Sequence, residues 1–124
     1  MEIKRSMTVC LDNWICRAFH GVFEEEQRTG NEFSLSVHAS YQVHGRIGSI
    51  EETINYSDLL RISRTVMEKP EALLETVAMK IADEIKTCFP KVTDIYISLY
   101  KSHAPIPNFQ GKVGVIFKQN YIEK

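Results

Sequence analysis

The sequence has little cysteine and no strong excess of charge of either sign. Its three cysteines, Cys10, Cys16 and Cys88, are odd in number and widely spaced, which matches neither a zinc motif nor a disulfide framework. The formal net charge is −1 over 124 residues, so the chain is not basic enough to follow a phosphate backbone. We therefore expect reduced thiols, no metal and no nucleic-acid partner.

Long apolar runs are also missing. No stretch approaches the roughly 20 residues that cross a bilayer, and the N-terminus lacks the short apolar core of a signal peptide. These absences predict a cytoplasmic protein without membrane association. With 44% apolar residues, the chain is long enough to bury one core and too short for two, so we expect a single domain over residues 1–124.

Two segments alternate between apolar and polar residues with the period of two that is typical of a strand with one buried face. They are residues 33–43 and 93–101, and residues 3–19 and 113–119 are interpreted as two further strands. The polar face of 33–43 carries no charged residue, which is unfavourable at an exposed sheet edge. We therefore expect this strand to be paired on both sides, with another subunit as a candidate partner.

Helical periodicity predicts two helices between these strand pairs. Residues 72–88 place one apolar stripe on a helix bounded by Pro70 and Pro90, with the stripe formed by Leu74, Val77, Ala78, Ile81, Ile85 and Cys88. A second helix begins with Asn55 or Ser57 as its cap and ends near Pro70. Residues 24–28 are predicted to be a charged loop.

The resulting order is strand, strand, helix, helix, strand, strand. It predicts an α+β fold in which a four-stranded antiparallel sheet is covered on one face by two helices. Both outer strands of such a sheet are open, and neighbouring copies arranged in a ring would complete it.

Several side chains could carry chemistry, and each also has a purely structural interpretation. Glu75 is either a carboxylate favoured by a helix dipole or an acceptor for a ligand with paired N–H donors. Lys101 lies on the apolar parity of its strand, so its ammonium either reaches water or ends in a pocket that lowers its pKa. Tyr56 either packs or relays a proton. Glu26 has the structural interpretation of one of three interchangeable loop acids, and His20 has that of a loop histidine with a satisfied hydrogen bond.

Four short motifs occur in the order and at the spacing that are typical of one protein family. They are HGVFEEEQ at residues 20–27, TINY at 53–56, LLETVA at 73–78 and KSHAPIP at 101–107. In this order the chain resembles the dihydroneopterin aldolase family of folate biosynthesis from about residue 3 to residue 118. The resemblance implies the tunnelling fold, which is this ββααββ arrangement, and a homo-oligomer that is a tetrameric ring or an octamer of two rings.

The resemblance also implies roles for the candidate residues. Glu75 would accept two hydrogen bonds from the 2-amino group and N3–H of a pterin, and Leu74 would offer a backbone contact. Lys101 and Tyr56 would be the catalytic lysine and tyrosine, and Glu26 would organise a water. The N5=C6 imine of the dihydropterin is the electron sink, so no cofactor, Schiff base or metal is needed.

The sequence departs from the family pattern at Ala18-Phe19, where Gly-Tyr is common, at Ser102, where Pro is common, and at Asn108, where Gly is common. These changes affect loop geometry and therefore substrate preference. Two alternative functions stay open. One is a 2′-epimerase of dihydroneopterin or its triphosphate on the same fold. The other is a non-catalytic pterin- or purine-binding ring protein, against which the presence of both Lys101 and Tyr56 argues.

Overall fold

A computed structural model describes residues 3–121 of the chain. It contains one antiparallel sheet in the order β1-β2-β3-β4, and its strands are β1 (Ser6–Ala18), β2 (Asn31–Gln42), β3 (Val92–Lys101) and β4 (Val113–Asn120). The two predicted hairpins therefore join through β2 and β3. The four-stranded antiparallel sheet expected from the alternation is confirmed.

The central position of β2 confirms that this strand is paired on both sides. β1 pairs with one side of β2 and β3 pairs with the other, so both partners belong to the same chain and the candidate partner from another subunit is not needed. The strands at the outer edges of the sheet are β1 and β4. An argument for self-association must therefore start from those edges and not from β2.

Between residues 3 and 121, three α-helices and one short 3₁₀ helix (Ile50–Glu52) accompany the sheet, and the bounds of the α-helices are α1 (Glu24–Thr29), α2 (Tyr56–Met67) and α3 (Leu74–Cys88). The apolar face of β2 is buried with the apolar stripes of α2 and α3, and its members include Phe33, Leu35, Val37, Ala39 and Tyr41. The predicted α3 stripe is correct except at its end. Cys88 is exposed, whereas Ala82 is buried, because the last turn of α3 extends beyond the sheet-facing core.

Two predicted boundaries are wrong. Residues 24–28 form the short helix α1 and not a loop, because Glu24, Glu25 and Glu26 stand in its first turn, where acidic side chains are favoured by the helix dipole. Gly30 then ends it with a φ of 78°. Helix α3 begins at Leu74 and not at Ala72.

The remaining features of the helices agree with the sequence. The Asn55 side chain caps α2 by accepting a hydrogen bond of 2.9 Å from the Ser57 N–H, as one of the two candidate caps predicted. None of the helices between residues 3 and 121 combines the length and the apolar character that crossing a bilayer requires.

Candidate active site

Lys101 ends β3 on the face that packs against the core. Its Nζ donates a hydrogen bond of 2.6 Å to Oε2 of Glu26 in α1, and the two side chains are only 12% and 13% exposed. Oε1 of Glu26 accepts a second, longer bond of 3.3 Å from the Phe23 N–H. Burial raises the pKa of Glu26, but the hydrogen bonds from Lys101 and Phe23 outweigh it and hold the pKa below its usual range. The carboxylate is therefore ionised at neutral pH.

A close backbone approach sets the position of Glu26. A Cβ atom added to Gly21 would lie 2.4 Å from Cβ of Glu26, so the glycine lets α1 pack directly on the preceding loop. Nε2 of Gln27 donates a bond of 2.8 Å to the Gly21 carbonyl. These contacts fix α1 and aim Glu26 at the end of β3.

His20 and Gly21 connect this pair to the start of α3. The Gly21 N–H donates to the Glu71 carbonyl at 2.9 Å, and the Glu71 N–H donates to Nδ1 of His20 at 3.1 Å. We call this double contact the His20–Glu71 clasp. Because Glu71 precedes α3 by only a few residues, the clasp holds the N-terminus of α3 at the same end of the sheet as Glu26.

The His20 ring is fully buried and lies edge-on to Phe33, with ring centroids 5.4 Å apart. Phe33 is the cross-strand partner of Lys101. Burial lowers the pKa of His20; the nearby Glu71 raises it and Lys101 lowers it further. Since Nδ1 accepts a bond, the neutral ring carries its proton on Nε2, which has no partner within residues 3–121. The sequence interpretation of His20 as a loop histidine with a satisfied hydrogen bond is confirmed at Nδ1, but it did not identify the partner, which lies 51 residues away.

Leu74 and Glu75 form the first turn of α3. Leu74 is buried, which fixes the turn on the core, and Glu75 is exposed. The Glu75 carboxylate is therefore open to a ligand at the helix N-terminus, where negative charge is favoured. The position of Glu75 is therefore compatible both with a carboxylate that is favoured by the helix dipole and with an acceptor for a ligand.

Tyr56 lies far from Lys101, Glu26 and the start of α3 within one chain. Thr53, three residues earlier, accepts a hydrogen bond of 2.7 Å from the Tyr41 hydroxyl and one of 3.0 Å from Lys91 through its carbonyl. Tyr41 pairs with Val92, the first residue of β3. At about 3.3 Å per residue, β3 places Val92 about 30 Å from Lys101.

The direction of α2 also places Tyr56 far from Lys101. Near the C-terminal end of α2, the Arg64 guanidinium lies 5.9 Å from the centroid of the Trp14 ring. Trp14 pairs with Leu35, and Leu35 pairs with Leu99. This end of α2 therefore lies close to Lys101, two residues after Leu99. At 1.5 Å per residue, Tyr56 at the other end of α2 lies about 12 Å from Arg64 along the helix axis. Tyr56 is 67% exposed. One chain therefore brings Lys101, Glu26 and the start of α3 together but does not bring Tyr56 to them.

The fold and these contacts define a small α+β domain with a cluster of charged side chains at one end of its sheet, beside a helix N-terminus. A family model described as "FolB: Dihydroneopterin aldolase" matches residues 9–118. The chain belongs to the dihydroneopterin aldolase family.

Relatives of known name agree with this family. The chain is 31% identical over 100 residues to a dihydroneopterin aldolase of Bacillus subtilis, which covers 78% of this chain and 83% of that protein. It is 33% identical over 93 residues to a dihydroneopterin aldolase of Methylorubrum extorquens, covering 73% of this chain and 72% of that one.

Solved structures share the fold at lower identity. A putative dihydroneopterin aldolase from Vibrio cholerae aligns with a TM-score of 0.80 at 23% identity, covering 93% of this chain and 98% of that chain. The Escherichia coli dihydroneopterin aldolase in complex with neopterin aligns with a TM-score of 0.77 at 18% identity, covering 92% and 99%.

One departure from the family pattern has a simple structural basis. Asn108, at the position where glycine is common, has a φ of 61°. Asparagine tolerates this left-handed conformation better than other side chains with a Cβ. The loop after β3 therefore keeps a glycine-like backbone conformation at this point.

Proposed function

We propose that this chain is a cytoplasmic 7,8-dihydroneopterin aldolase of folate biosynthesis. It cleaves its substrate to 6-hydroxymethyl-7,8-dihydropterin and glycolaldehyde without a metal or a Schiff base. The observation that carries the proposal is the largely buried Lys101–Glu26 pair, with Nζ and Oε2 2.6 Å apart, in a chain of this family. The free thiols of Cys10, Cys16 and Cys88 suit a reducing compartment.

Binding starts at α3. The Glu75 carboxylate accepts hydrogen bonds from the 2-amino group and N3–H of the pterin, a charge-assisted bidentate contact. The backbone at Leu74 adds a second contact. The His20–Glu71 clasp supports this geometry because it fixes the first turn of α3 relative to Lys101 and Glu26.

The chemistry takes place at the substrate side chain. A water oriented by Glu26 and Lys101 removes the proton of the 2′-hydroxyl, and Lys101 stabilises the developing alkoxide. The C1′–C2′ bond then breaks, its electron pair moves through C1′ and C6 to N5, and glycolaldehyde leaves. Tyr56 relays the proton that returns to C1′ and completes the hydroxymethyl product.

We further propose that the active site is shared between copies of the chain in a tetrameric ring or an octamer of two rings. The distance of Tyr56 from Lys101 within one chain supports this arrangement, because a neighbouring copy can supply the missing tyrosine. The open edges at β1 and β4 support the same arrangement, since edge strands pair readily with another chain.

The direct test is the release of glycolaldehyde from 7,8-dihydroneopterin by the pure protein in the presence of EDTA. We expect stoichiometric formation of 6-hydroxymethyl-7,8-dihydropterin. Supplying each 2′-epimer separately distinguishes cleavage from epimerisation. A protein that interconverts the epimers without releasing glycolaldehyde would contradict the aldolase proposal, and activity lost to EDTA and restored by metal would contradict the metal-free mechanism.

A further inference from the structure

A second group of side chains with chemical potential lies outside the proposed active site. Cys10 and Asp12 of β1 and His38 of β2 each offer one ligand atom, and these atoms all lie within 4.8 Å of one another. His38 belongs to the polar parity of β2, opposite the parity of Phe33 and its cross-strand partner Lys101. The group therefore lies on the sheet face away from the helices.

Strand pairing builds this group from distant parts of the sequence. Cys10 stands directly opposite His38 in the β1–β2 register, and Asp12 follows two residues after Cys10, on the same face of the strand. Nε2 of His38 and Oδ1 of Asp12 are hydrogen-bonded at 2.7 Å. Neither the spacing of the cysteines nor that of the histidines indicates this arrangement.

A β-bulge holds Asp12 in place. The register shifts between Leu11 and Trp14, and Asn13 has a φ of 54°, a conformation that asparagine tolerates. The Asn13 N–H donates a hydrogen bond of 2.9 Å to Oγ of Ser36, which ties the bulge to β2. On the other side, the Tyr96 ring of β3 packs on the His38 ring with centroids 5.0 Å apart.

We propose that Cys10, Asp12 and His38 bind one divalent cation of the zinc class per chain. A thiolate, an imidazole and a carboxylate are the three ligand types that zinc takes in proteins, and a water can fill the fourth tetrahedral position. The thiolate disfavours magnesium and calcium, which select oxygen ligands.

Binding requires the three ligand atoms, which lie within 4.8 Å of one another, to close around the ion. Two metal bonds of about 2 Å at a tetrahedral angle separate an oxygen and a nitrogen ligand by roughly 3.3 Å, compared with the 2.7 Å of the present hydrogen bond. The Asp12 and His38 side chains are 55% and 32% exposed, so both can rotate. The Cys10 thiol gives up its proton to solvent, and the proton that His38 carries on Nε2 in its hydrogen bond to Asp12 moves through solvent to Nδ1, which frees Nε2 for the metal. The Asp12–His38 hydrogen bond is then replaced by two metal–ligand bonds.

The site would act on the fold and not on the proposed reaction. It joins β1, an outer strand of the sheet, to the central strand β2, so a bound ion stabilises the pairing of these two strands.

The experiment is a Zn²⁺ titration of the purified, reduced and EDTA-treated full chain against a competing chelator indicator. We expect one Zn²⁺ per chain, and at least ~10-fold weaker binding in Cys10→Ser and in His38→Gln. Cys88→Ser is the matched control, because Cys88 is also an exposed free thiol, and it should bind as the parent protein does. With Co²⁺ as the probe, a thiolate-to-cobalt absorption band should disappear only in Cys10→Ser.

A second measurement does not depend on how well the variants fold. In the parent protein, Zn²⁺ should slow alkylation of Cys10 at least ~10-fold relative to Cys88, as read by mass spectrometry of the peptides. Equal alkylation of the two thiols with and without Zn²⁺ would overturn the proposal. Binding that persists unchanged in Cys10→Ser, or that falls equally in Cys88→Ser, would overturn it as well. None of these results bears on aldolase activity, because the two sites share no residue.

Discussion

Lys101 and Glu26 are 75 residues apart in the chain and form a largely buried ion pair with Nζ and Oε2 2.6 Å apart. The pair joins the end of β3 to α1 and is the centre of the candidate site. Removing either partner leaves the other charge partly buried and uncompensated. Four predictions test this pair and the other residues of the proposed active site.

Glu75→Ala should weaken binding of a 6-hydroxymethylpterin product analogue at least ~30-fold, because a charge-assisted bidentate contact is lost. Turnover of bound substrate should change much less. The measurement is calorimetric titration together with kcat at saturating substrate. Glu84→Ala removes an exposed carboxylate from the same helix and is the control; unchanged affinity in Glu75→Ala would exclude the anchor role.

Lys101→Ala should reduce kcat by at least ~10² while pterin binding is retained, as expected for the loss of acid–base and electrostatic assistance. Lys112→Ala, which alters an exposed lysine beyond β3, should keep its activity. Borohydride added during turnover should trap nothing on Lys101. A pterin or glycolaldehyde adduct on this lysine would instead demonstrate a Schiff base.

Tyr56→Phe and Lys101→Ala proteins should each be inactive, and they should regain activity when unfolded together and refolded. If each site takes Tyr56 from one chain and Lys101 from the next, some junctions in mixed rings contain both native residues. The measurement is glycolaldehyde release, with the mixed rings verified by native mass spectrometry.

Refolding each variant alone is the control for this complementation and should give no activity. Mixed rings that stay inactive would show that Tyr56 and Lys101 do not meet between subunits. The aldolase proposal would then stand without a shared site.

The unfolding free energy should fall as the pH drops below about 6.5, and His20 should contribute to this slope. The unfolded chain binds a proton at His20 near pH 6.5, whereas the folded chain binds it only at lower pH because burial lowers the pKa. The unfolded state therefore holds more protons in this range. The contribution of this one group is at most about 1.4 kcal/mol per pH unit.

His20→Asn should reduce this pH dependence, since asparagine does not titrate and its Oδ1 can still accept the Glu71 N–H. His103→Asn changes an exposed histidine and serves as the control. Urea unfolding at several pH values provides the measurement. An identical slope in His20→Asn and the parent protein would exclude the buried neutral histidine.

The sequence alone determined the four strands and the two long helices of the fold. Strict alternation in β2 and helical spacing in α3 report burial directly, because each pattern follows from the geometry of its own element. The motifs around His20, Tyr56, Glu75 and Lys101 were enough to recognise the family. Helix α1 was missed because six mostly charged residues carry no periodic apolar signal.

Only the tertiary structure decided which residues meet. The Lys101–Glu26 pair, the His20–Glu71 clasp and the Cys10–Asp12–His38 group all join segments at least 26 residues apart. Such contacts depend on strand register and on the packing of α1 against Gly21, and local sequence patterns do not encode either of these. The opposite ends occupied by Tyr56 and Lys101 likewise follow from the parallel course of α2 and β3, which places the start of α2 and the end of β3 at opposite ends of the sheet, and no single motif contains this relationship.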